Sequence, residues 1–190
     1  MDKSTLIVFA RPLHEGQVKK RLAKAIGEQK ALSVYGKLMV LTMSAAAEAD
    51  IETIVYFSDP PHYNHNYINN IQRDGDLGYR MAFAIGNEIN HSGGLVCLIG
   101  SDCPKISGKI IDEAMHVMTT VDLVIGPATD GGYYLIGMKK LHTALFEDVN
   151  WGEDTVMQET LDIAKKLNLT VQLLTELKDV DNVDDLPDGW

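Results

Sequence analysis

The chain has 190 residues, 45% hydrophobic and 23% charged, the proportions of an ordinary folded domain and not of a disordered, collagenous or coiled-coil chain. Seventeen Lys and Arg stand against 27 Asp and Glu, a formal net charge of -10. Such a surface repels nucleic acid and anionic membranes, so neither is expected as a partner.

Taken in chain order, apolar runs of strand length alternate with segments of helical period. LIVF at 6–9 reads as a strand buried on both faces. Helices are expected over 18–26 and 30–49, then a strand over 53–57 that ends at Ser58-Asp59-Pro60-Pro61. The polar stretch HYNHNYINN reads as a loop. A helix over 77–89, a strand over 95–99, a helix over 109–118, and strands over 123–125 and 133–138 follow. A helix over 155–167 and a strand over 170–174 complete the pattern. This order predicts an α/β three-layer sandwich around a mainly parallel sheet. No linker, repeat or low-complexity tract interrupts it, so one domain over 1–190 is expected. The first apolar run, LIVFA, is closed by Arg11. It falls short of the roughly 7–15 apolar residues of a secretory signal and the roughly 20 of a membrane span. The two cysteines, Cys97 and Cys103, fit free thiols in a reducing cytoplasm better than a disulfide framework or a zinc site.

In open parallel sheets ligands bind at the carboxyl ends of the strands. The residues there are Ala10-Arg11-Pro12, Ser58-Asp59, Gly100-Ser101-Asp102 and Gly126-Pro127-Ala128. No GxGxxG follows a strand and no GxxxxGK[ST] occurs, which speaks against a dinucleotide-binding domain and a P-loop NTPase. The first thirty residues hold seven Lys and Arg against three acids, a net +4, which leaves -14 for the other 160. Arg11, Lys19 and Arg21 flank a Gly16-containing loop between the first strand and a helix. Backbone N–H groups at a helix start together with such cations suit a diphosphate; a solvated helix face is the plainer reading. Asp102, directly after a central strand, suits Mg²⁺ or Mn²⁺. A second carboxylate is needed, and Asp130, Asp179 and Asp181 are the candidates. Gly131-Gly132 allows close approach of a ligand, or simply a tight turn. Trp151 either stacks on an acceptor or caps the core, and Tyr133-Tyr134 suits sheet packing or sugar stacking. No Gly-x-Ser-x-Gly surrounds Ser101, so a hydrolase triad is not supported.

Several of these motifs, in order along nearly the whole chain, carry a resemblance. ARP, GQVKKRL, QRDGDLGYRM, GSDCP, GPATDGGYYLIG, VNWGEDTV and DVDNVDDL resemble the DUF2064 family of GT-A-fold transferases. That family is similar to the guanylyltransferase of coenzyme F420 synthesis and, more distantly, to sugar-nucleotide pyrophosphorylases. One departure is Lys20, where the family usually has Thr. The resemblance implies that Lys19 and Arg21 contact phosphate with Arg11 in support, and that Asp102 is the metal aspartate. GSD is a partial D-x-D, so a second ligand comes from elsewhere, and the resemblance favours Asp181 over Asp130. By the same resemblance Gln72, Asp76 and Arg80 fall in the segment near base and ribose, and Asp130 faces the acceptor as catalytic base; Gly131 and Gly132 are kept as substrate-binding candidates on their own conformational freedom. The implied chemistry is metal-dependent glycosyl transfer from a nucleoside-diphosphate sugar. Nucleotidyl transfer from an NTP to a phosphorylated small molecule is the alternative, and a nucleotide-binding module without turnover is a third. Absence of a G-x-G-x-R loop after the first strand favours glycosyl transfer.

Overall fold

The computed structural model describes residues 3–63 and 65–190. Its first strand, β1 (Lys3–Ala10), owes its place at the centre to an unbroken apolar run. Leu6, Val8 and Ala10 face one side of the sheet, and Ile7 and Phe9 the other, as the two-residue period of a strand requires. The helices α1 (Lys20–Ile26) and α2 (Glu28–Glu48) follow, then β2 (Glu52–Phe57), β3 (Ile68–Ile71), α3 (Leu77–Ser92), β4 (Gly93–Ile99) and α4 (Gly108–Val117). The chain closes with β5 (Leu123–Pro127), β6 (Tyr133–Met138), α5 (Val156–Lys166) and β7 (Val171–Leu173). Among the described residues seven strands form one sheet, in the order β3-β2-β1-β4-β6-β5-β7.

Two cores separate the three layers. On one side α2 contributes Tyr35, Met39, Ala45 and Ala46, and α4 contributes Ile111, Ala114 and Met115. On the other, α3 contributes Met81, Ala84 and Ile85, α5 contributes Ala164, and a 3-10 turn adds Leu145 and Phe146. A third cluster ties α1 to the outside of α2 through Leu22, Ala31, Val34 and Leu38, and Val180 of the C-terminal segment joins it. No helix among the described residues is long and apolar enough to cross a membrane.

Two features depart from the sequence-based expectation. The end of the polar stretch taken as a loop forms most of β3, whose four residues are all exposed. This strand exists by parallel pairing to β2, from Ile54 opposite Ile68 to Phe57 opposite Ile71, so it has no apolar signature. The helix expected from residue 18 begins at Lys20, because Lys19 is left-handed with φ 47°. The sheet is mainly parallel, as expected: β6 is antiparallel to both β4 and β5, while every other neighbouring pair is parallel. The carboxyl ends of six strands therefore share one edge of the sheet. The turn between β5 and β6 falls on that same edge, which brings Asp130 to the strand exits.

Candidate active site

The exits of β1 and β4 are joined by a side chain from α2. The Tyr35 hydroxyl accepts the Arg11 N–H at 2.8 Å and donates to the Arg11 carbonyl at 3.1 Å. With its one proton so placed, it accepts from the Ser101 hydroxyl at 3.1 Å. Burial pushes the Tyr35 phenol up to about 12, so it stays an uncharged donor. The neighbour of Ser101 is Asp102, half exposed on the site side.

Lys19 meets Asp102 there. Its Nζ is 2.7 Å from Asp102 Oδ1 and 3.3 Å from Asp181 Oδ1, and its side chain is only 5% exposed. Arg21 reaches Asp181 Oδ2 at 3.4 Å from a mostly exposed position, a pair that contributes little by itself. The residues thus converge from distant parts of the chain: the basic loop, the β4 exit and the C-terminal segment.

That segment is zipped onto the strand exits by backbone bonds. Leu177 N–H donates to the Pro127 carbonyl and Thr129 N–H to the Leu177 carbonyl, each at 3.0 Å. Val180 N–H donates to the Asp102 carbonyl, also at 3.0 Å. Val180 is fully buried in the third cluster, and Asp179 and Asp181 on either side of it both line the cavity. Carboxylate oxygens of Asp130, Asp179 and Asp181 lie within 4.8 Å of one another. Partial burial, then repulsion from Asp130 and Asp181, raises the Asp179 carboxyl to about 6. Asp130 Oδ1 accepts the Gly132 N–H at 2.9 Å, which fixes the carboxylate while Oδ2 keeps its lone pairs. Asp181 belongs both to this trio and to the pair that grips Lys19.

These groups line one cavity of about 580 Å³, within the range of small-ligand sites. Its wall includes the expected Arg11, Lys19, Arg21, Gln72, Arg80, Asp102, Asp130, Gly132 and Asp181. Gln72 is held by Nε2 donation to the Tyr56 carbonyl at 2.8 Å, and Arg80 by Nε donation to the Gly75 carbonyl at 2.8 Å. Two expected binding residues are absent from the wall. Asp76 caps α3, accepting the Tyr79 N–H at 2.8 Å. Gly131, at φ 88°, lies against the Asp154 backbone, where a Cβ would be 2.1 Å from a carbonyl oxygen. Trp151 is in the wall, edge-on to Tyr133 with ring centres 6.3 Å apart. Sequence reasoning missed Tyr35 and passed over Asp179. A hydroxyl in the otherwise apolar series Ala31, Val34, Tyr35, Leu38 was the available signal for the first, and the buried Val180 flanked by acids for the second.

A family model described as an uncharacterized protein conserved in bacteria, DUF2064, matches residues 33–153, more than half of the chain. The chain belongs to the DUF2064 family. No curated protein matches it. Among solved structures, a protein of Desulfovibrio desulfuricans G20 provisionally named a nucleotide-diphospho-sugar transferase is 28% identical, with a TM-score of 0.91. The match covers 97% of this chain and 85% of that one. A 4-diphosphocytidyl-2C-methyl-D-erythritol synthase from Anaerococcus prevotii is 10% identical with a TM-score of 0.60, covering 97% and 94%. Rv0371c of Mycobacterium tuberculosis, solved as a manganese complex, is 13% identical with a TM-score of 0.54, covering 96% and 95%. The DUF2064 chain thus has the GT-A fold, a three-layer α/β/α sandwich shared by nucleotide-diphospho-sugar transferases and nucleotidyltransferases.

Proposed function

We propose that this DUF2064 protein is a divalent-metal-dependent transferase that takes a nucleoside-diphosphate sugar and passes the sugar to a small-molecule acceptor. The observation that carries this reading is the convergence of Lys19 and Arg21 with Asp102, Asp130, Asp179 and Asp181 in one cavity at the strand exits. Hard oxygen donors suit Mg²⁺ or Mn²⁺. The Lys19 ammonium between Asp102 and Asp181 is a stand-in cation, so this pair fits a metal. Bound there, the ion would neutralise charge on a departing diphosphate.

The chain's own residues supply the rest. Lys19 and Arg21 bind the diphosphate, with Arg11 at the rim. Gln72 and Arg80 orient the base and ribose, while Asp76 acts through the first turn of α3. Gly132 holds Asp130 by one oxygen, and the other takes the acceptor's proton as the glycosidic bond breaks. Gly131 sets the turn that presents this carboxylate.

Nucleotidyl transfer is the second reading, favoured by the nucleotidyltransferases that share the fold over nearly the full chain. There an acceptor phosphate attacks the α-phosphorus of an NTP and pyrophosphate leaves. One experiment separates them: incubation with Mn²⁺ and either nucleotide sugars or labelled NTPs. Release of UDP or GDP is expected, and pyrophosphate release instead supports nucleotidyl transfer. Binding without either release makes the protein a nucleotide-binding module. Asp102→Asn is expected to abolish turnover with an unchanged circular dichroism spectrum; retained turnover moves the site elsewhere.

A further inference from the structure

We infer that the Lys19 ammonium is a tethered plug in the cation position, so that a divalent ion and a diphosphate enter the site together and neither enters well alone. The inference rests on the functional reading above. Lys19 Nζ touches the two carboxylates argued to hold the ion, Asp102 at 2.7 Å and Asp181 at 3.3 Å. With its side chain 5% exposed against 70% for Arg21, it is no surface charge that drifted onto an acid. Its backbone is left-handed, a conformation that lysine adopts only where the surroundings impose it. The plug is therefore built into the turn that opens α1.

An ion between Asp102 and Asp181 and the ammonium cannot share the same oxygens. The ammonium must leave, and it then gives up two charge-assisted contacts, to Asp102 and Asp181, that a second anion restores and water replaces only in part. Asp130 and Asp179 are poor destinations, because both lie in the cluster of Asp181 and an ammonium moved there still faces the ion. A diphosphate brings its own negative charge, accepts Lys19 on the flexible lysine stem, and frees the carboxylates for the metal. Binding of each ligand then raises affinity for the other by the same factor.

The test is calorimetric titration of Mn²⁺ into wild type, Lys19→Met and Lys24→Met, each with and without UDP and with and without GDP. Lys24 is exposed on α1, so its loss controls for overall charge. Wild type is expected to bind Mn²⁺ weakly alone and on the order of tenfold tighter with a nucleoside diphosphate. Lys19→Met is expected to bind Mn²⁺ alone on the order of tenfold tighter than wild type, with little further gain from the nucleotide. Should Lys19→Met fail to fold by circular dichroism, Lys19→Asn takes its place, since asparagine tolerates the left-handed backbone. Lys19 variants that bind Mn²⁺ no tighter than wild type overturn the inference, as does an equal gain in Lys24→Met. Wild type that binds neither UDP nor GDP in the presence of Mn²⁺ overturns the functional reading and the coupling with it. The manganese-only comparison then decides separately whether Lys19 holds the ion's position.

Discussion

Asp179 shows how a site strains a single residue. Its carboxyl is raised from 3.8 to about 6, first by burial and then by Asp130 and Asp181. Between those two values the folded state binds more protons than the unfolded one, so stability falls as pH rises from about 4 to 6. Asp179→Asn removes that penalty. It is expected to stabilise the protein at pH 7 by about 1 kcal/mol, a figure discounted for the solvent that still reaches the carboxyl. It is also expected to flatten the pH dependence of urea midpoints between pH 4 and 6 and to weaken Mn²⁺ binding. A variant no more stable than wild type at pH 7 contradicts the assignment. In the sequence, Asp179 is one acid in a run of five, and composition there reads as a solvated tail. Asp102 was legible because it stands directly after a clean apolar strand; Asp179 was legible only as one of three candidate carboxylates, because its direction depends on where Val180 is buried.

At the scale of elements, α3 and the wall of the site meet at Gly78. A Cβ there would come within 2.3 Å of the Phe146 carbonyl oxygen and 2.5 Å of Trp151 Nε1, so only glycine lets α3 lie this close. Gly78→Ala gains little helix propensity in a first turn, and backbone cannot yield cheaply to it. The expected loss is about 1–3 kcal/mol, seen as a lower melting temperature with a shift in tryptophan emission as Trp151 is displaced. An unchanged emission spectrum counts against this packing. The elements themselves were legible to different degrees. The buried strands and amphipathic helices announce themselves by period, and β6 matches its expected bounds of 133–138. The exposed INNI of β3 has no period to read. Reversal of β6 was equally hidden, since an apolar run looks the same in either direction. That reversal matters, because it places Asp130 on the working edge.

Over the whole molecule, the site is assembled by a tail that crosses from the last strand back to the first helices. Val180 is its anchor. The side chain is fully buried with Leu22, Ala31, Val34 and Leu38, and its N–H is bonded to the Asp102 carbonyl. The third cluster therefore sets the separation between Asp102 and the two acids of the tail, although Val180 itself is not in the cavity wall. Truncating it leaves a void on one side and loosens the registration of Asp179 and Asp181 on the other. Val180→Ala is expected to cost about 1–3 kcal/mol of stability, visible as a melting temperature several degrees lower. It is also expected to weaken binding of Mn²⁺ with UDP or GDP at temperatures where the fold is intact. Calorimetry well below the melting point separates the two effects. Full affinity in a destabilised Val180→Ala protein would mean that the tail carries its carboxylates to the strand edge by the backbone zipper alone, without help from the cluster beneath it.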